Sequence, residues 1–146
     1  FYPLEGNTAY VDVTEPYCPT LHSYLWEAAH LLGISLLKGA TYVCTQGPRF
    51  ETRAEIEMIR RLGGDLVGQT NYPEVVLARE LAICYATVGV ISNWAAGIQP
   101  RVTAKEVMKN LEGVGEQLAH LFAEVIRKHP DPEDCTCRHV LDEASI

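Results

Sequence analysis

Three groups of side chains have types and spacings that could do chemistry. Thr70 follows a short apolar run and precedes a segment with Pro73, a residue suited to the first turn of a helix. Free backbone N–H groups and the positive end of the helix dipole gather there, so an anion is favoured, and a threonine hydroxyl can donate to it. Taken alone, such a threonine is more often a plain helix cap. Asn93 follows the apolar run of residues 85–91, and open α/β sheets bind ligands beyond the carboxyl ends of their strands. Its amide both donates and accepts hydrogen bonds, whereas an ionised Asp only accepts. Taken alone, an Asn there is more often a turn former. Cys135 and Cys137 form a C-x-C pair. His129 and His139 lie near, but two further ligands at zinc-like spacing are missing, so no metal is expected.

Two other residues carry open alternatives. Phe50 follows the Gly47-Pro48-Arg49 turn, where a lone aromatic is ordinarily core. Glu55 either caps its own helix or orders a site. Capping is favoured, with Arg53 as its neighbour.

The elements that must position these residues read as an alternation of helix and strand. Residues 19–32 carry Leu21, Leu25, Ala28, Ala29 and Leu32 at helical spacing, with Gly33 as C-cap. Residues 34–37 and 41–45 read as short strands around Lys38-Gly39. Thr52-Arg53-Ala54-Glu55 is a capping-box pattern opening a helix to about Leu62, stopped by Gly63-Gly64. Residues 65–68 make a short strand, and Pro73 opens a helix ending near Leu81. Residues 85–91 read as the strongest strand, buried on both faces. After a loop over 92–102, Thr103-Ala104-Lys105-Glu106 reads as a second capping box. It opens the longest helix, to about Lys128, whose stripe of Val107, Met108, Leu111, Val114, Leu118, Leu121, Phe122 and Val125 should face a core. Residues 1–128 are therefore expected to be one domain portion and 129–146 a polar tail. The class is α/β, with a mixed, largely parallel sheet and flanking helices.

Bulk properties exclude more than they assert. The chain has 146 residues, 47% of them hydrophobic, enough for one sizeable core. A net charge of -7 argues against a nucleic-acid surface, which needs clustered Lys and Arg. No apolar run approaches the ~20 residues of a membrane helix, and no signal-peptide pattern opens the chain. Five cysteines, an odd number, fit a reducing cytoplasmic compartment better than a disulfide framework.

Four pieces in order carry a specific resemblance. They are Thr45-Gln46-Gly47-Pro48-Arg49-Phe50-Glu51-Thr52-Arg53-Ala54-Glu55, Thr70-Asn71-Tyr72-Pro73-Glu74-Val75-Val76-Leu77-Ala78-Arg79-Glu80, Ile83-Cys84-Tyr85-Ala86 and Asn93-Trp94-Ala95. The chain resembles the C-terminal half of a purine nucleoside phosphorylase of the methylthioadenosine/methylthioinosine phosphorylase type. That resemblance implies a nucleoside phosphorylase-like fold of which only the C-terminal half is present. The family's other half supplies a glycine-containing phosphate loop and an Arg-His pair, so the chain is expected to be a fragment or one chain of a split enzyme. Alone, it is expected to be inactive.

The resemblance also assigns roles. Thr70 binds phosphate, Phe50 stacks on the purine, and Asn93, Trp94 and Ala95 meet the base, with Asn93 the catalytic residue. Gln69 stands where the family commonly has a Met against the ribose, and its amide can still hydrogen-bond a sugar hydroxyl. Ala104 and Val107 match positions lining the pocket for the 5′ substituent. Members that cleave methylthioadenosine typically carry two aspartates flanking one residue, where this chain has Asn93-Trp94-Ala95. That pattern is similar to the methylthioinosine and 6-oxopurine phosphorylases. The resemblance implies phosphorolysis of 5′-methylthioinosine or a related 6-oxo nucleoside, with inorganic phosphate as co-substrate and no cofactor. It further implies a homotrimer whose sites borrow from a neighbour, including the Phe1-Tyr2 region. Some members carry a C-x-C pair that can oxidise. The rival readings are a non-catalytic purine- or nucleotide-binding half-domain, and a methylthioadenosine phosphorylase with 6-aminopurine specificity.

Overall fold

A computed structural model describes residues 10–128, 135–142 and 144. It contains helix α1 (Pro19–Leu32), strand β1 (Tyr42–Cys44), helix α2 (Arg53–Arg61), strand β2 (Leu66–Gly68), helix α3 (Asn71–Glu80), helices α4 (Ala104–Asn110) and α5 (Val114–Lys128), and a 3-10 helix (Thr136–His139). β1 and β2 pair in parallel, with Val43 opposite Val67. The class is mixed α/β with parallel strands, as the alternation predicts.

The chain divides into two compact units. One comprises the described parts of Phe1–Ile34, Asn71–Thr87 and Leu121–Ile146. Leu25, Ala28 and Ala29 from α1 are buried there, as are Leu121 and Val125 from α5, Cys137 from the 3-10 helix, and Cys18, Cys135 and Ala144 from the segments between elements. Pro19 sits at the start of α1 and Gly33 at its C-cap, as expected; the N-cap is Cys18, whose sulfur accepts from the Leu21 N–H. The stretch expected to be a tail falls partly on residues 129–134, outside the described residues, as does His129.

The other unit comprises Ser35–Thr70 and Val88–His120. β1 and β2 form its sheet, and α2 buries Ile56 and Ile59. The Thr52 capping box is complete: the hydroxyl accepts from the Glu55 N–H, and the Glu55 carboxylate accepts from the Thr52 N–H.

Four sequence expectations are corrected. Residues 34–37 form no strand, and Leu37 is almost wholly exposed. Residues 85–91 carry no ladder either, although their composition suits one. A strand requires a neighbouring backbone in register, and among the described residues only β1 and β2 supply each other with one. The long C-terminal helix is two helices, since Leu111 caps α4 and Gly113 takes φ 78, which a side chain would make costly. Its apolar stripe is accordingly interrupted: Leu121 and Val125 are buried, whereas Met108 and Phe122 are exposed. Finally, the second capping box is only half made. Thr103 accepts from the Glu106 N–H, but the Glu106 carboxylate accepts from Gln99 instead of turning back. No helix among the described residues is long and apolar enough to cross a membrane.

Candidate active site

The candidate side chains sit on segments that leave the carboxyl ends of the two parallel strands, on the loop before α4, or in α4 itself. β1 ends at Cys44, and the Thr45 N–H donates to the Gly68 carbonyl at the end of β2, over 2.8 Å. The Thr45 hydroxyl lies 2.6 Å from a Glu51 carboxylate oxygen, to which it donates. This fastens the turn that presents Phe50 to the strand ends. Gln69, just past β2, donates its amide to the Arg49 carbonyl. Gln69 and the Phe50 segment are thus held together directly.

Glu55 does more than the sequence showed. Beside capping α2, it accepts two hydrogen bonds from the Arg49 guanidinium, at 2.8 and 2.5 Å. The Arg49 guanidinium, with help from the Thr52 N–H, holds the Glu55 carboxyl well below its ordinary 4.5, at about 2. The expected neighbour was Arg53. The observed partner is Arg49, which also donates to the Phe50 carbonyl. Arg53 instead packs under Gly97: a Cβ at Gly97 would lie 2.6 Å from Arg53 Cγ, and its φ is +86. Only glycine tolerates both that backbone and that approach. The contact links the start of α2 to the loop holding Asn93.

In that loop, the Ser92 hydroxyl donates to Asn93 Oδ1 over 2.8 Å, and Asn93 Nδ2 donates to the Trp94 carbonyl over 2.9 Å. The Trp94 N–H donates to Gln99 Oε1, and Gln99 Nε2 reaches both the Arg101 carbonyl and Glu106. Asn110 donates to the Ser92 carbonyl over 2.6 Å. The Asn93-Trp94-Ala95 loop is therefore tied to both ends of α4, the helix that begins with Ala104 and carries Val107. One bond on each side of the Asn93 amide leaves one donor and one acceptor without a partner among the described residues. The Trp94 carbonyl can only accept, so turning the amide over would set oxygen against oxygen. The side-chain chemistry at Asn93 is polar and oriented.

Phe50 and Trp94 are exposed, at 45% and 70%. Gln69 and Thr70 are exposed, while Ala95 and Val107 are half-buried. Thr70 is the least supported of the set. Tyr72 has non-helical φ and ψ, so regular helix begins only at Pro73, three residues later. Asn71 between them is buried; it donates to the Tyr17 hydroxyl and accepts from Thr87. The Phe1-Tyr2 region lies outside the described residues. Sequence reasoning missed Arg49, Ser92, Gln99 and Asn110 as the residues that hold the site. Their signal is chemical only, donors and acceptors whose partners lie 5 to 20 positions away.

A second cluster stands in the other unit. The sulfurs of Cys18, Cys84, Cys135 and Cys137 all lie within 4.8 Å of one another. Cys18, Cys135 and Cys137 are buried, with Leu21 packed against them. Burial raises the Cys135 thiol, but hydrogen bonds from the Cys137 N–H and the neighbouring thiols outweigh it and bring it down to about 6. Burial and the neighbouring thiols push Cys84 strongly up and Cys137 to about 11.

Parallel strands with polar and aromatic side chains fastened beyond their carboxyl ends belong to an α/β fold, and here that fold is the nucleoside phosphorylase one. The chain belongs to the phosphorylase superfamily, whose profile matches residues 1–127. It is 43% identical over 143 residues to a probable S-methyl-5′-thioinosine phosphorylase of Thermodesulfovibrio yellowstonii, covering 97% of this chain and 54% of that protein. It is 48% identical over 140 residues to a probable 6-oxopurine nucleoside phosphorylase of Dictyoglomus turgidum, covering 95% and 53%. Among solved structures, a methylthioadenosine phosphorylase from an antarctic soil metagenomic library superposes with a TM-score of 0.83 at 29% identity, covering 97% and 52%. The chain spans about half the length of the curated relatives it matches.

Proposed function

We propose that the protein carries out reversible phosphorolysis of a 6-oxopurine nucleoside, releasing free base and sugar 1-phosphate. 5′-Methylthioinosine is the leading substrate, with inosine and guanosine next. The observation that carries this reading is the oriented amide of Asn93, which keeps one N–H and one oxygen lone pair for a ligand. A 6-oxopurine presents the O6 acceptor and the N1–H donor, which match that pair. An adenine presents the reverse order, and the Trp94 carbonyl opposes the amide flip that would suit it.

Phosphate attacks the anomeric carbon while the base departs through an oxocarbenium-like transition state. The bond to the base breaks as the bond to phosphate oxygen forms, and the electron pair leaves with the purine. Asn93 donates to O6 as negative charge grows there, an interaction stronger in the transition state than in the bound substrate. Phe50 stacks on the base, Trp94 and Ala95 border it, Gln69 holds the sugar, and Thr70 donates to phosphate. Ala104 and Val107 are small and apolar, which suits a methylthio group better than a 5′-hydroxyl. Inorganic phosphate is the co-substrate, and the chemistry requires no resident cofactor. Family resemblance supports a homotrimer in which a neighbour completes each site, and a cytoplasmic setting.

The test is a side-by-side assay of the whole protein with phosphate and methylthioinosine, methylthioadenosine, inosine or guanosine. The 6-oxo nucleosides are expected to have the higher kcat/KM. Equal cleavage of methylthioadenosine and methylthioinosine removes Asn93 as the source of specificity.

A further inference from the structure

The pair Cys135-x-Cys137 lacks further ligands in its own stretch of sequence, but the fold supplies them. Cys18 comes from the N-cap of α1 and Cys84 from the segment after α3. We propose that Cys18, Cys84, Cys135 and Cys137 form a tetrathiolate site for a single tetrahedral divalent ion of the zinc class, serving to hold this unit together rather than to take part in phosphorolysis.

Size is the first argument. A zinc ion with sulfur ligands at ~2.3 Å in a tetrahedron separates those sulfurs by about 3.8 Å. Here Cys18 and Cys135 lie 3.3 Å apart, and all four sulfurs lie within 4.8 Å of one another. The Cys18–Cys135 pair needs to widen by only about 0.5 Å to reach the tetrahedral spacing. An iron–sulfur cluster, which puts several irons and inorganic sulfides between its cysteines, does not fit sulfurs this close.

Charge is the second. Four thiolates around a divalent ion carry a net charge of minus two, which needs donors close by. The Leu21 N–H lies 3.4 Å from the Cys18 sulfur, at the positive end of a fourteen-residue helix. An Arg79 guanidinium nitrogen lies 3.9 Å from the Cys137 sulfur, and the same side chain is anchored on the Glu15 carbonyl. N–H groups aimed at sulfur are the outer partners that thiolate metal sites use. Burial is the third argument, since Cys18, Cys135 and Cys137 are at most 2% exposed. Four closely packed sulfurs in an apolar pocket gain from a cation that compensates all of them at once. The ligands come from three chain segments, with Cys18 and Cys135 lying 117 positions apart along the chain, so one ion fixes all three.

The experiment is metal analysis of the whole protein, purified without chelator and under reducing conditions. The expected result is about one zinc per chain, replaceable by cobalt(II) with the sulfur-to-cobalt charge-transfer absorption of a tetrahedral thiolate site. Cys135→Ser should abolish stoichiometric binding, while Cys44→Ser, in β1 and outside the cluster, should leave it intact. Should Cys135→Ser fail to fold, zinc stoichiometry and the cobalt spectrum of the unaltered protein decide alone. The proposal is overturned by reduced protein that takes up neither ion. It is equally overturned by an intact mass short of two hydrogens per disulfide, with peptide mapping that pairs these cysteines.

Discussion

The two units solve the problem of holding side chains in opposite ways. In the unit of β1 and β2, the candidate residues are largely exposed and are fixed by polar ties: Gln69 to Arg49, Arg49 to Glu55, Asn93 to Ser92 and Trp94, and Gln99 to Glu106. In the unit of α1 and α3, side chains are fixed by burial: Leu121 and Cys18 have no exposed surface, and Cys137 hardly any. A hydrogen-bonded loop on the surface keeps free donors and acceptors for a ligand, and a packed core does not. The comparison supports the proposal that the first unit serves recognition and the second cohesion.

Leu121→Ala gives the largest expected effect and tests the second half of that assignment. Truncating a fully buried leucine leaves a cavity and costs ~2–5 kcal/mol of stability. Denaturant unfolding should show this loss, while the ratio of kcat/KM between methylthioinosine and methylthioadenosine stays as in the unaltered enzyme. A changed ratio would mean that cohesion and recognition are not separable.

The next effect in size belongs to Thr70. A hydrogen bond to a charged group contributes ~1.5–3 kcal/mol, so Thr70→Ala should raise the phosphate KM roughly ten- to a hundredfold. Stability should barely move, because Thr70 is exposed. If phosphate dependence is unchanged, Thr70 serves only the turn before α3.

Specificity should shift by a smaller amount. Asn93→Asp combined with Ala95→Asp replaces the amide by carboxylates that only accept, leaving O6 facing an acceptor. The ratio of efficiencies should move towards 6-amino nucleosides by at least about tenfold, or ~1.4 kcal/mol. A double variant that keeps its preference for methylthioinosine places the choice elsewhere in the pocket.

The smallest effect is one of acid stability. The Glu55 carboxyl titrates lower in the folded chain than its ordinary 4.5, so its contribution is complete above that pH and disappears as pH falls towards about 2. Glu55→Gln should flatten the stability profile over that window and leave it nearly parallel above it. An identical acid slope in both proteins would show that the exposed Arg49–Glu55 pair adds nothing.

Much of this molecule is legible without coordinates. Local chemistry determined α1, from Pro19 to its Gly33 cap, and α2 with its Thr52–Glu55 box, because such signals involve residues within one turn of each other. The four motif pieces brought the family and the candidate residues with them. Three features depended on partners far away in the sequence. Residues 85–91 have strand composition but no ladder, since pairing is a property of two backbones. Arg49 replaced Arg53 as the partner of Glu55, because the turn before α2 carries its guanidinium to the carboxylate while Arg53 packs beneath Gly97. The Cys135-x-Cys137 pair, incomplete in sequence, gained Cys18 and Cys84 only when folding closed a separation of 117 positions. Sequence determined which side chains are present and which short elements form, because those depend on neighbours along the chain. Tertiary structure decided which donors meet which acceptors and which sulfurs converge, because those distances exist only once the chain has folded.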